Sequence, residues 1–191
     1  GSGNAALSAG IAALEKGADV TIYEKADKKM AGGNTKYTAG AMRFAYDNGE
    51  ELMPLLKNPN DARLKNTDFG SYTKEHFSSD LLGFNDGRAL SEEQNKLVSK
   101  SFETIKWLST HNIKFEPIFS RQSFLKDGKH IFWGGLTLAA ESEGVGFRTQ
   151  ARGTEKHKLF FVFGLRRNRN YTSPVVGLWR QRDSEVPRRL T

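Results

Sequence analysis

The chain has 191 residues and no cysteine, which excludes a disulfide framework and a thiolate metal site. Its four histidines, His76, His111, His130 and His157, lack metal-ligand spacing, and no apolar stretch approaches the roughly 20 residues of a membrane-spanning helix. The formal net charge is +7, but residues 1–146 carry 18 Lys+Arg against 19 Asp+Glu, so all of the excess sits in residues 147–191, with 11 against 3. The length suits one modest domain, and the cytoplasm is the default location.

The chain opens on Gly1-Ser2-Gly3-Asn4-Ala5-Ala6, a G-x-G-x-x-A turn. In a dinucleotide-binding unit such a turn joins the first strand to the first helix. Gly1 permits the bend, Gly3 lets a pyrophosphate approach the backbone, and Ala6 keeps the helix close to the sheet. The strand that should precede the glycines is missing, so the chain reads as a piece of a larger enzyme. Asn4 to Lys16 predicts a helix, with Leu7, Ile11 and Leu14 on one face and Ala6, Gly10 and Ala13 beside them. Gly17 is placed to end it. Asp19 to Tyr23 predicts a strand closed by Glu24, whose position about 20 residues past the turn suits a hydrogen bond to ribose hydroxyls.

A second glycine-rich stretch follows, Ala31-Gly32-Gly33-Asn34-Thr35-Lys36-Tyr37-Thr38-Ala39-Gly40. Two such turns suit an extended dinucleotide, one for the pyrophosphate and one for backbone passing near a flavin. Asn34, Thr35 and Thr38 supply hydrogen-bonding side chains without bulk. A nicotinamide-dependent dehydrogenase is the alternative, and the second loop argues against it.

Residues 47–84 read as irregular, with Lys57-Asn58-Pro59-Asn60-Asp61 at their centre. Ser91-Glu92-Glu93-Gln94 is a capping box that predicts a helix over about 92–110. Its core face is read as Leu97, Ser101, Ile105 and Leu108, with Val98 and Phe102 beside them and Trp107 in the core. His111-Asn112 ends the helix and Ile113 packs back. Lys126-Asp127-Gly128 is a turn, and Trp133-Gly134-Gly135 and Gly144-Val145-Gly146 are further glycine signals.

Base usage switches after Gly146. Residues 1–146 hold 14 Lys and 4 Arg, and residues 147–191 hold 2 Lys and 9 Arg. A basic tail with Phe160, Phe161, Phe163, Tyr171 and Trp179 could bind nucleic acid by charge and stacking. The abrupt switch favours the other reading, an atypical Arg-rich tail from a shifted reading frame. Leu159 to Leu165 is its only predicted strand, and the rest is expected to be disordered or poorly packed.

Gly-Ser-Gly-Asn-Ala-Ala, Tyr23-Glu24-Lys25, Gly32-Gly33-Asn34-Thr35 and Thr38-Ala39-Gly40 together resemble the FAD-binding start of the fumarate reductase/succinate dehydrogenase flavoprotein family. The Gly-Gly-Asn-Thr stretch and Arg43 are similar to its tricarballylate dehydrogenase branch. The resemblance covers about residues 1–146 and implies an α/β fold, a partial glutathione-reductase-type Rossmann-like domain followed by the start of an α+β capping domain. The expected divisions are 1–46 for the FAD-binding part, 47–146 for the insertion and capping part, and 147–191 for the tail.

The resemblance implies FAD as cofactor and hydride transfer between flavin and a di- or tricarboxylic acid. It places Gly1, Gly3 and Ala6 at the pyrophosphate and Glu24, with Lys25 nearby, at the adenosine ribose. Gly33, Asn34, Thr35, Thr38 and Gly40 would line the approach to the isoalloxazine. Arg43, Arg121 and His130 are the candidate substrate contacts, and the matching segments contain no catalytic residue. The expected partner is a small carboxylate, with no metal, no membrane span and no nucleic acid. The chain alone is expected to be inactive.

Overall fold

The computed structural model describes residues 1–27, 29–140, 160–163 and 178–179. Helices and strands are mixed in an α/β arrangement, and the chain divides into two compact units. One comprises Gly1–Thr38 with strands from Ala151–Thr191, and the other Ala39–Gln150. Gly144-Val145-Gly146 and most of the basic tail lie outside the described residues.

In the first unit, helix α1 spans Asn4–Glu15 and buries Leu7, Gly10, Ile11 and Leu14, the face that the periodicity predicts. Gly17 adopts φ +79 and its amide closes the helix on the Leu14 carbonyl at 2.9 Å, a glycine-dependent C-terminal cap. Strand β1 spans Thr21–Glu24 rather than 19–23, and it turns Ile22 and Glu24 inward and Thr21 and Tyr23 outward. The start moves because pairing begins only at Thr21, opposite Phe160. A parallel ladder runs from there to Glu24 opposite Phe163, so Glu24 is the last residue of the strand and not its sequel. The partner strand, Phe160–Phe163, falls within the expected 159–165. Leu178–Trp179 adds an antiparallel strand to it.

The second unit carries two small sheets. In the first, Ala41–Met42 (β2) and Phe115–Pro117 (β4) flank Leu138–Ala140 (β7), all antiparallel. In the second, Lys129–Phe132 (β6) lies between Thr67–Asp68 (β3), parallel to it, and Ser123–Lys126 (β5), antiparallel. The β5–β6 hairpin turns on Asp127 and Gly128, with φ +51 and +74. A two-residue turn with both φ values positive matches the right-handed twist of its strands.

Residues 47–84 are more ordered than the sequence reading expects. They contain 3-10 helices at Gly49–Leu55 and Ala62–Asn66 and an α-helix, α2, at Lys74–Phe84. Asn48, Asp61 and Thr73 cap their N-termini through side-chain oxygens. Helix α2 buries only Phe77, so it offers no apolar period to read.

Helix α3, Glu92–Thr110, has both bonds of the predicted Ser91–Gln94 capping box. Its core face is Val98, Ser101, Ile105 and Leu108. Leu97, expected on that face, is 53% exposed, and Phe102 and Trp107 are half-buried rather than core. The buried stripe shares 101, 105 and 108 with the expected face, but its edge is Val98 and not Leu97, since these neighbours lie 100° apart on opposite sides of the stripe. Ser101 is satisfied inside the core, where its Oγ accepts the Ala45 amide at 3.0 Å and donates to the Val98 carbonyl at 2.9 Å. Phe44, Leu52, Ile113, Phe115 and Leu138 are almost wholly buried in this unit, each burial worth about 1.5–3 kcal/mol.

Candidate functional site

The first unit folds its glycine turns onto one another. The Asn4 amide, first in α1, donates to Thr35 Oγ1 at 2.9 Å. A Cβ on Gly3 would meet both the Gly32 carbonyl oxygen and Thr35 Oγ1 at 3.2 Å, whereas nothing lies within 4 Å of one on Gly1. A side chain at Gly3 would thus crowd the closure of the two turns, an effect separate from admitting a phosphate. The amides of Ala5 and Ala6 have no partner among the described residues and point out of the helix N-terminus, as a phosphate cradle requires.

Glu24 is the junction of this region. Its Oε2 accepts from the Ser2 amide at 2.8 Å, from Ser2 Oγ and, at 3.5 Å, from the Gly32 amide. Its Oε1 accepts from the Ala26 amide at 2.9 Å. One buried carboxylate, 6% exposed, therefore ties the first turn, the end of β1 and the second turn together. The Ala26 amide and the Ser2 hydroxyl are the main reasons that its pKa falls from 4.5 to about 2, against the opposing effect of burial. Each oxygen of an ionised carboxylate has about two acceptor positions, so Oε1, with one bond, retains one.

The other sequence-selected residues of this unit lie at its surface. Lys25, Gly33, Asn34 and Thr38 are exposed. Gly33 starts the 3-10 helix Gly33–Tyr37 after Gly32 adopts φ +110, and Thr38 Oγ1 donates to the Thr35 carbonyl at 3.1 Å. Ser2 and Gly32 join the site without being among the residues that the sequence pattern marks. The only signal for Ser2 was its place between two glycines facing an acidic strand end.

The second unit holds the remaining candidates. Gly40 adopts φ +68, and its carbonyl accepts the Ala140 amide at 2.9 Å. Arg43 Nη1 donates to Tyr72 Oη at 2.8 Å and pairs with Asp80 at 2.9 Å, and Tyr72 Oη donates to the same Asp80 oxygen at 2.6 Å. Burial first, and then the Asp80 carboxylate, push the Tyr72 pKa up. Arg43 is thus fixed by a tyrosine and an aspartate that the sequence did not mark.

Arg121 and His130 come together in a cavity of 490 Å³, with Arg63 and Ser120 also in its wall. Arg121 sits on the one-turn helix Phe119–Gln122 (α4) and His130 on β6. The Phe119 ring carries the Arg63 guanidinium over its face at 4.2 Å and the His130 ring against it edge-on at 4.8 Å. Ser123 Oγ donates to the Phe119 carbonyl at 2.7 Å and lies 3.4 Å from His130 Nδ1. Since the hydroxyl proton is already used, Nδ1 is the nitrogen placed to carry a proton, and Nε2 has no partner among the described residues. Among those residues no group of three or more His, Asp or Glu could hold a metal ion, and no helix is long and apolar enough to cross a membrane.

No protein-family model and no solved structure matches the chain. The chain is similar to a digoxin reductase of Eggerthella lenta, 30% identical over 109 residues. That match covers 56% of this chain, which spans 17% of the length of the reductase.

Proposed function

We propose that the chain carries part of the cofactor site of an FAD-dependent oxidoreductase, in a partial Rossmann-like domain. The observation that carries this reading is the closure of two glycine turns around Glu24 and Thr35, with the α1 N-terminus beside them. The similarity to a reductase agrees with it. Gly1, Gly3 and Ala6 would hold the pyrophosphate with the Ala5 and Ala6 amides, which are oriented without reorganisation. The free position on Glu24 Oε1 would accept a ribose hydroxyl, with Lys25 nearby. Gly33, Asn34, Thr35, Thr38 and Gly40 would line the path toward the isoalloxazine.

When bound, FAD supplies the two-electron chemistry, exchanging a hydride with a carbon beside a carboxylate. Arg121 and His130, which share a cavity, are the residues proposed to receive a substrate carboxylate, while Arg43 lies outside that cavity, held by Tyr72 and Asp80. Charge-assisted pairing with an arginine orients such a group.

Titration of FAD and of NADH into the chain, followed by flavin and nicotinamide fluorescence, tests the reading. Saturable FAD binding that weakens at least tenfold in Gly3→Val supports it. Binding of NADH without FAD would sink it in favour of a nicotinamide enzyme.

A further inference from the structure

The cavity in the second unit has an uneven charge inventory. Arg63 is committed to Asp61, with Nε 3.0 Å from Oδ1 and Nη2 on Oδ2, and Asp61 is held down at about 2 mainly by that side-chain pairing. Glu116, also in the wall, pairs with Lys57 at 3.4 Å. Arg121 has no ion pair or side-chain hydrogen bond among the described residues. It is therefore the one lining charge there left without a counter-charge. The wall also carries Ala39, Pro117, Ile118, Ala139 and Ala140, which give it an apolar portion beside its polar one. A volume of 490 Å³ lies within the usual range of small-molecule sites, about 300–1,000 Å³.

We propose that this cavity binds a small organic acid through a single carboxylate on Arg121, with the uncharged body of the acid against the alanine, proline and isoleucine wall. One unbalanced guanidinium matches one negative charge. A second or third carboxylate on the ligand would meet Arg63, already neutralised by Asp61, or Glu116, already paired with Lys57, and neither offers it an unbalanced positive charge. The small residues at 39, 139 and 140 leave the volume that a flat apolar body takes up. His130 Nε2, on the same wall, offers one further polar contact. This goes beyond the flavin reading, because it assigns a charge class to the ligand that FAD chemistry alone does not specify. The cavity lies wholly within the second unit, so acid binding is measurable without FAD, and failure of either property leaves the other standing.

Cinnamate, its uncharged amide and propane-1,2,3-tricarboxylate are titrated into the full chain at low ionic strength, with the His130 ring followed by NMR. His130→Gln assigns the ring signals. Cinnamate is expected to shift them saturably, the amide to bind at least tenfold more weakly, and the tricarboxylate no more tightly than cinnamate. Arg121→Ala should lose at least tenfold for cinnamate and almost nothing for the amide. Arg121→Lys should recover part of the loss, since a lysine restores the charge without the planar fork. Arg88→Ala, which removes a surface arginine paired with Asp86, serves as the control and should change nothing. Circular dichroism of each variant separates lost binding from lost fold. No saturable shift with cinnamate, equal binding of the amide, an unaffected Arg121→Ala, or a tenfold preference for the tricarboxylate would overturn the proposal.

Discussion

The amide of Asn4 donates to Thr35 Oγ1 across 31 positions of sequence, at 2.9 Å. That bond fixes the start of α1 against the second glycine turn, where Gly3 leaves just enough room for the Thr35 hydroxyl and the Gly32 carbonyl. Thr35→Val keeps the shape and removes the acceptor, leaving a part-buried amide unpaired at a cost of about 1–3 kcal/mol. Hydrogen exchange at Asn4 should speed up in Thr35→Val and remain slow in Thr35→Ser. Unchanged exchange in the valine variant would show that the contact is incidental.

Glu24 predicts an acid limit for the first unit. Its pKa lies at about 2 in the fold against 4.5 ordinarily. Folding therefore favours the ionised form, and the stabilisation is complete above about pH 4.5. It fades as pH falls from there toward 2, and the shift corresponds to at most about 3 kcal/mol. Glu24→Gln should lower stability at neutral pH and flatten this acid slope, because the amide NH₂ would face the Ser2, Ala26 or Gly32 donors. Hydrogen exchange over residues 1–32 between pH 3 and 7 reads it out. An identical slope in the variant would mean that other carboxylates set the limit.

Much of the first unit could be read from the sequence because its signals are local. The apolar face of α1, the Gly17 stop and the acidic end of β1 are each set by spacing within a few residues. The capping box at Ser91 is equally local. What could not be read depends on long-range pairing. Little near Ser2 beyond its place between two glycines announces that its hydroxyl and amide will both bond Glu24 Oε2, 22 positions away. Nothing near Arg43 announces Tyr72 and Asp80, 29 and 37 positions away. Helix α2 escaped notice because a helix that buries only Phe77 has no period. Leu97 and Val98 flank the stripe of 101, 105 and 108 on opposite sides, and so short an apolar pattern does not tell which edge is buried. Arg121 and His130 carry no sequence signal of each other, and the fold puts them in one cavity with Arg63.

The capping of α3 predicts a stability effect with a distinctive partner. Ser91 Oγ accepts the Gln94 amide at 3.2 Å, and Gln94 Oε1 accepts the Ser91 amide at 3.0 Å. The Gln94 side chain also exchanges two bonds with Asn85, at 2.9 and 3.1 Å, so it links the cap to the end of α2. Ser91→Ala should cost about 1 kcal/mol. Gln94→Ala should cost more than Ser91→Ala, since it breaks both the cap and the Asn85 contact. Urea unfolding measures the difference, and equal losses would mean that the Asn85 pair adds nothing.

Gly135 leaves little room beside the Arg43–Tyr72 pair. It adopts φ +77, and an added Cβ would lie 2.7 Å from Arg43 Nη1 and 3.3 Å from Tyr72 Cζ. Gly135→Ala therefore carries two penalties, a backbone conformation that L-residues disfavour and a collision with the Arg43–Tyr72 pair. The arginine head can swing away, but doing so surrenders its bonds to Tyr72 and Asp80, and the tyrosine ring behind it is buried and cannot follow. The expected loss is about 1–2 kcal/mol. Arg43→Ala removes the nearest obstacle while leaving the φ strain. The double variant should thus lose less than the sum of the two single losses, by about 0.5 kcal/mol or more. Thermal unfolding of the four proteins closes this cycle. Strict additivity would mean that Gly135 is needed for its backbone angle alone and not to seat Arg43.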